Sequence, residues 1–262
     1  MRISALVAIG MAGIVPAGLR GQSAEDPPAF EVASVKPATP QDRIIGLFTY
    51  PGGRITASLY TLQMLIEEAF DAQPFQVSGG PRWIHDDRYD IEAKPPASAK
   101  SSKATPPYPK APPNAEQRQM LQTLLVDRFE LKFHRETREG PVYFLTKGSK
   151  ERRLRDAKDK DAYPWAGSLR GGAISGDGLA GTNITMPLLA QRLSGYLGRP
   201  VLERTGLEGS YDFRFEYASD DAHTDVIASI FASIQGIGLK LEAAKGPVET
   251  IVIDHAEKPS GN

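Results

Sequence analysis

The apolar residues of this chain follow one helical rhythm in two separate places. In each place, apolar side chains recur at the three- and four-residue spacing that forms one face of an α-helix. The two stripes are Leu62, Leu65, Ile66, Ala69 and Phe70, and Met186, Leu189, Ala190, Leu193 and Leu197. Thr61 and Thr185 directly precede the stripes, where a hydroxyl can cap free helix amides. The pattern predicts two equivalent helices.

The segments around these helices also match. Val77 to Ala93 and Val201 to Tyr217 each lead through a short strand and a glycine-containing loop to a Tyr-Asp pair. Each half has the order strand, helix, strand, strand, helix, strand, strand. The first six of these elements have the order of a ferredoxin-like split unit. We therefore predict an α+β protein of two tandem related units, each an antiparallel-rich sheet with two helices on one face and an extra strand.

Gly140 separates two short apolar runs and is followed by Pro141. Because glycine and proline commonly mark turns, we expect the runs before and after it to form a hairpin. Together with the other breaks in the pattern, this gives the predicted organisation: a signal peptide at 1–24, a first unit at 25–149 with a Pro-rich loop at 94–113, a charged connector at 150–170, a second unit at 171–258 and a tail at 259–262.

The N-terminus has the layout of a secretory signal peptide. Arg2 provides a positive charge, Ile3 to Val15 is apolar or small, and small residues lead to the polar stretch that begins at Gln22. An uncleaved anchor or a buried N-terminal helix is the alternative. The signal predicts a secreted or periplasmic protein with no membrane span after cleavage.

Composition narrows the possible functions. The 262 residues contain no cysteine, which excludes disulfides, thiol catalysis and cysteine-ligated metals. The formal net charge is -1, and the chain lacks the basic excess typical of nucleic-acid binding. We expect no nucleic-acid partner.

Trp83 is the best candidate for ligand binding. It follows the turn Gly79-Gly80-Pro81 and has Arg82, His85 and Asp86 beside it. An aromatic ring edged by polar groups suits a small molecule, a glycan or a peptide, and an envelope protein is a further possible partner. The alternative is that Trp83 closes the end of the core.

No catalytic, metal or cofactor site can be assigned from the remaining polar residues. His85-Asp86-Asp87 and Asp254-His255 could ligate a metal only if the fold brought them together, and surface histidines are favoured. The chain has no Gly-x-Ser-x-Gly motif. We expect Glu67-Glu68 on the solvent face of its helix. Asp90 and Asp212 are expected to hydrogen-bond the loops that precede them.

Several short motifs resemble a known family. They are Phe30-Glu-Val-Ala-Ser-Val-Lys-Pro37, Gly79-Gly-Pro-Arg-Trp83, Asp127-Arg-Phe129, Lys132-Phe-His-Arg-Glu136, Thr205-Gly-Leu-Glu-Gly-Ser-Tyr-Asp212 and Val252-Ile-Asp-His255. The family is a large set of paralogous secreted proteins of unknown function from soil Acidobacteria, and similar domains are appended to membrane sensor peptidases. The resemblance implies export and extracellular sensing, and it implies no catalytic residues. Leu59 departs from the family, which often has Asn at this position, as the second half does at Asn183.

The sequence as a whole favours an exported, non-enzymatic binding or sensing module. Two alternatives stay open. A secreted hydrolase with an unfamiliar carboxylate or histidine site would require such side chains to converge in one cleft. A structural component of the cell envelope would assemble through its sheet edges.

Overall fold

The computed structural model describes residues 27–39, 44–97, 112–150, 153–167, 178–216 and 226–260. The predicted signal peptide at 1–24, most of the Pro-rich loop at 94–113 and His223 lie outside these residues. Five helices are described: α1 (Leu62–Phe70), α2 (Trp83–Asp86), α3 (Ala115–Phe129), α4 (Met186–Leu197) and α5 (Val226–Gly236). None of them is long and apolar enough to cross a membrane.

Twelve strands are described. They are β1 (Val32–Pro37), β2 (Gly46–Thr49), β3 (Ile55–Thr61), β4 (Val77–Gly79), β5 (Arg88–Lys94), β6 (Lys132–Lys147), β7 (Arg155–Asp156), β8 (Trp165–Gly167), β9 (Gly178–Thr185), β10 (Val201–Glu203), β11 (Ser210–Glu216) and β12 (Leu239–His255). The predicted α+β class with antiparallel-rich sheets is confirmed. The segment 150–170, expected only to connect the halves, provides β7 and β8.

The two predicted helices form as their stripes indicate. The backbone N–H of Met64 donates to Thr61 Oγ1 at 3.3 Å, and that of Leu188 donates to Thr185 Oγ1 at 3.4 Å. Both threonines therefore cap their helices by satisfying an amide that lacks an intrahelical partner. The stripes face the interior, and the matched residues Leu65 and Leu189 are both fully buried.

Two of the three sheets have the same arrangement. One sheet has the strand order β1-β5-β3-β2, and another has the order β7-β11-β9-β8. In both, the strand that leads into the capped helix lies between a short edge strand and the strand with the Tyr-Asp pair. This matching topology is compatible with the predicted duplication.

The third sheet is built by both halves. Its order is β10-β6-β12-β4, in which β6 and β12 pair antiparallel along nearly their whole length and the two short outer strands run parallel to their neighbours. β4 of the first half pairs with β12 of the second, and β10 of the second pairs with β6 of the first. This exchange of strands between halves differs from two self-contained ferredoxin-like sheets.

The hairpin predicted at Gly140 is wrong, because β6 continues through this residue without turning. Gly140 lies opposite Gly246 at the centre of the β6–β12 pair. A Cβ on Gly140 would come within 3.0 Å of Val248 Cγ2, and one on Gly246 within 3.1 Å of Val142 Cγ2. Glycine therefore serves the close packing of the two strands here and makes no turn.

The hydrophobic core has two parts, one beneath each capped helix. The first contains Leu65 and Phe129 and is completed by Ile251 and Ile253 of β12. The second contains Leu189 and is completed by Leu145 of β6. Each core is thus closed by the long strand of the other half.

Each half contains a bulge held by an aspartate. The register shifts near Leu59 in β3 and near Asn183 in β9, and both residues have left-handed backbones, with φ of 56° and 48°. The N–H of Leu59 donates to Asp90 Oδ1 at 3.2 Å, and the N–H of Asn183 donates to Asp212 Oδ1 at 2.9 Å. Both aspartates form structural hydrogen bonds, as predicted, but these bonds reach the bulge of the neighbouring strand rather than the loop that precedes each aspartate.

Candidate functional site

A cleft of about 410 Å³ opens where α1 and α4 approach each other. Its volume lies within the range usual for small-molecule sites. The lining residues come from both helices and from the segments that follow them, with a contribution from β2 and from the chain before α3: Leu47, Glu67, Glu68, Asp71, Ala72, Gln73, Pro74, Pro112, Gln191, Arg192, Gly195 and Tyr196.

The two walls of the cleft use corresponding positions of the two halves. Counted from the capping threonines Thr61 and Thr185, the residues on one wall stand at the same distances as the residues on the other. The pairs are Glu67 with Gln191, Glu68 with Arg192, Asp71 with Gly195 and Ala72 with Tyr196. The cleft therefore lies where equivalent surfaces of the two halves face each other.

Two adjacent carboxyl groups of α1 are half-buried in this cleft. Gln63 Nε2 donates to Glu67 Oε1 at 2.8 Å, and the Tyr60 hydroxyl donates to Glu68 Oε1 at 3.3 Å. Burial raises the pKa of both Glu67 and Glu68, because it disfavours the charged form more than these hydrogen bonds favour it. Burial and the neighbouring Glu68 carboxylate also raise the pKa of Tyr60.

Arginines supply the positive charge around these carboxylates. Arg118 of α3 donates from Nη2 to Asp71 Oδ1 at 2.7 Å, while its buried Nε finds no acceptor among the described residues. Both Arg118 and Arg192 favour the ionised form of Glu68 through their charge. Carboxyl groups with raised pKa values, facing a guanidinium across a cleft, form a typical arrangement for a ligand site.

A slightly larger cavity, of about 460 Å³, lies at the end of β6. Its lining includes Lys147, Gly148, Ser149 and Lys240. Lys240 Nζ already pairs with Glu242 Oε1 at 2.7 Å. It borders residues outside the described part of the chain. The cleft between α1 and α4 is the better candidate because its charged groups are partly withdrawn from water.

Residues 63–256 match the model of a family described as a protein of unknown function, DUF3738. The chain belongs to the DUF3738 family. No curated protein and no solved structure matches it. The matched range of this DUF3738 protein includes both walls of the cleft.

None of the four residues predicted to bind a ligand belongs to the lining of the cleft. Trp83 begins the single turn of α2, where a loop was expected, and its half-buried ring packs against the first core. Arg82 and Asp86 form an exposed ion pair at 3.3 Å. His85 Nδ1 contacts Gln63 Oε1, and Nε2 of the same Gln63 donates a hydrogen bond to Glu67 Oε1. Their role in binding stays a prediction.

The expected position of Glu67-Glu68 on the solvent face of α1 is wrong. The helical stripe correctly gives the face that packs on the sheet, but it contains no information about a second helix beside the first. The signal that could have indicated the site is the charge contrast at matched positions: α1 carries Glu67 and Glu68 where α4 carries Gln191 and Arg192.

The described histidines of this DUF3738 protein lie outside the cleft lining. His134 Nδ1 lies 2.9 Å from Asp254 Oδ1 and its Nε2 lies 3.2 Å from Glu136 Oε1. Both hydrogen bonds raise the pKa of His134, and the one to Asp254 contributes more than the one to Glu136.

His255 is brought together with Glu130 and Glu257, whose ligand atoms all lie within 4.8 Å of one another. The sequence had suggested His85-Asp86-Asp87 as its possible companions instead. Histidine and carboxylates are ligand types that Zn²⁺ accepts. Nothing else at this largely exposed group points to a bound ion, and His255 Nε2 already lies 3.1 Å from Glu257 Oε1.

Proposed function

We propose that this DUF3738 protein is an exported, non-enzymatic binding or sensing module that takes a small polar molecule in the cleft between α1 and α4. One observation carries the proposal: the charged groups of the cleft are partly desolvated and face an open volume of about 410 Å³. A ligand that supplies the missing hydrogen bonds recovers the solvation that these groups lose on folding.

Export is supported by the sequence of residues 1–24 and by the resemblance to secreted proteins of soil Acidobacteria. The matched walls of the cleft also suit sensing, because a ligand that contacts both α1 and α4 would tie the two halves of the molecule together. Such a ligand would stabilise the arrangement of the two halves in which α1 and α4 can both contact it.

Filling the cleft tests the proposal. Gly195 is exposed on the α4 wall, and the atom nearest to a Cβ added there is Oε1 of the flexible Gln73 side chain, at 2.8 Å. Gly195→Phe should therefore block the cleft while the helix is kept. Gln119→Phe adds the same ring at an exposed position on α3, away from the cleft, and serves as the control.

The assay is titration calorimetry with amino acids, short peptides, polyamines and mono- and disaccharides. The wild type and Gln119→Phe should bind at least one of these classes, and Gly195→Phe should not. Binding that survives Gly195→Phe, or the absence of binding by any class, would overturn the proposed site.

One observation favours a second candidate, a hydrolase. Adjacent carboxyl groups with raised pKa values in a cleft can act as general acid and base. This candidate predicts turnover of glycoside or peptide substrates that is lost in both Glu67→Gln and Glu68→Gln. A binding module predicts altered affinity in these variants and no turnover in the wild type.

A further inference from the structure

The two walls of the cleft differ in charge although their positions correspond. The α1 wall carries three carboxyl groups, at Glu67, Glu68 and Asp71. Among the described residues of the α4 wall, Arg192 is the one charged side chain. An acidic wall thus faces a cationic group across a space large enough for a small molecule.

The charges on these walls are unequally satisfied. Asp71 is neutralised by Arg118 at 2.7 Å. Glu67 accepts a hydrogen bond from the uncharged amide of Gln63, and neither Glu67 nor Arg192 forms an ion pair with any described residue. Burial raises the pKa of Glu67, as expected for a carboxyl group that lacks a cationic partner. Glu67 and Arg192 are therefore charged groups of the lining that have no ion-pair partner among the described residues, and they lie on opposite walls.

We propose that the ligand of the cleft is a zwitterion, a free amino acid or a short peptide with free ends, whose ammonium group lies against Glu67 and Glu68 and whose carboxylate lies against Arg192. This inference rests on the proposed function. An ammonium group brings three N–H donors to the carboxylates, and a guanidinium fork can hold a carboxylate through two parallel hydrogen bonds. A neutral sugar would leave Arg192 without an anion, and a polyamine would place positive charge beside it.

The inference predicts that both ends of the ligand are recognised separately. The first step is a titration of the wild type with the amino acids and a panel of dipeptides with free ends. The best binder is then compared with its N-acetyl form, which lacks the ammonium group, and its C-terminal amide, which lacks the carboxylate. Each blocked form should bind at least about tenfold more weakly, which corresponds to about 1.4 kcal/mol.

Variants assign each end to its wall. In Arg192→Gln, the free acid and the amide should bind alike, while discrimination against the N-acetyl form persists. In Glu67→Gln, the difference in affinity between the free ligand and its N-acetyl form should shrink. The difference between the free ligand and its amide should persist. Lys240→Gln, an exposed cation outside the cleft, should behave as the wild type. If Arg192→Gln fails to fold, Arg192→Lys provides a partial test: it keeps the charge without the bidentate fork, so the preference for the free acid over the amide should fall but not vanish.

Each outcome decides between the two proposals. Blocked forms that bind as tightly as the free zwitterion would overturn the inference, and so would the absence of binding by every amino acid and dipeptide. If a neutral disaccharide binds and Gly195→Phe abolishes its binding, the cleft remains the site and only the class of ligand is wrong. If Gly195→Phe leaves the binding of every probe unchanged, the proposed function falls as well.

Discussion

Asn183 is the residue whose replacement tests most directly how the bulge in β9 is held. Its side chain is buried, with 7% of its surface exposed, and its Nδ2 donates to the carbonyl oxygens of Lys160 at 2.9 Å and Ala162 at 2.7 Å. Its backbone is left-handed. Asparagine tolerates this conformation better than leucine, which stands at the matched position 59.

Asn183→Leu should lower the free energy of unfolding by about 3 kcal/mol. The loss of two hydrogen bonds accounts for about 2 kcal/mol, and the left-handed backbone of a leucine for about 1 kcal/mol. Asn183→Gly keeps the backbone relaxed and removes only the hydrogen bonds, so it should cost about 2 kcal/mol. The reciprocal change Leu59→Asn should lower the free energy of unfolding by about 1 kcal/mol. The loss of buried apolar surface destabilises the protein, but asparagine adopts the left-handed backbone with less strain, which offsets part of that loss.

Urea unfolding followed by tryptophan fluorescence measures these differences, with the three variants and the wild type at one pH. The reasoning fails if Asn183→Gly is as stable as the wild type, since the side-chain hydrogen bonds would then add nothing. It also fails if Asn183→Leu is no less stable than Asn183→Gly, since the backbone conformation would then carry no cost for leucine.

Three further predictions concern matched burial, acid stability and export. Leu65→Ala and Leu189→Ala, at fully buried matched positions, should each lower the free energy of unfolding by about 2–5 kcal/mol, measured by urea titration; a small effect at either site would contradict equivalent packing. Hydrogen bonds from the backbone N–H groups of Asn183 and Lys158 lower the pKa of Asp212, so its stabilisation should be complete above pH 3.8 and lost as pH falls through the lowered pKa. The stability difference between wild type and Asp212→Asn should accordingly shrink in that range, whereas a constant difference would exclude ionisation as its cause. Residues 1–24 fused to a reporter should direct secretion, with a new N-terminus between Gln22 and Glu25 found by mass spectrometry; a retained full-length N-terminus would refute this.

Local patterns in the sequence predicted those parts of the fold that depend on neighbouring residues. The stripes of α1 and α4 and their threonine caps follow from spacing along one segment. The stripes and caps need no knowledge of how distant segments meet. Asp90 and Asp212 were correctly expected to form structural hydrogen bonds, but the bulges that they hold lie on neighbouring strands and not in the preceding loops.

Features that depend on contacts between the halves could not be obtained in this way. Gly140 and Gly246 indicate turns locally, and only their position opposite each other explains why both strands continue. Glu67 was expected in water because nothing near it in the sequence indicates that α4 lies alongside. The candidate site therefore escaped prediction for the same reason as the shared sheet.

The exchange of β4 and β10 across the shared sheet also bears on how such a chain could arise and be divided. The arrangement is compatible with a domain-swapped dimer whose two subunits have been joined end to end. A half expressed alone would expose the long edge of its central strand and leave its core without the apolar residues that the other half contributes. Such fragments should be insoluble or self-associating when produced separately, and they should reassemble into one particle when produced together.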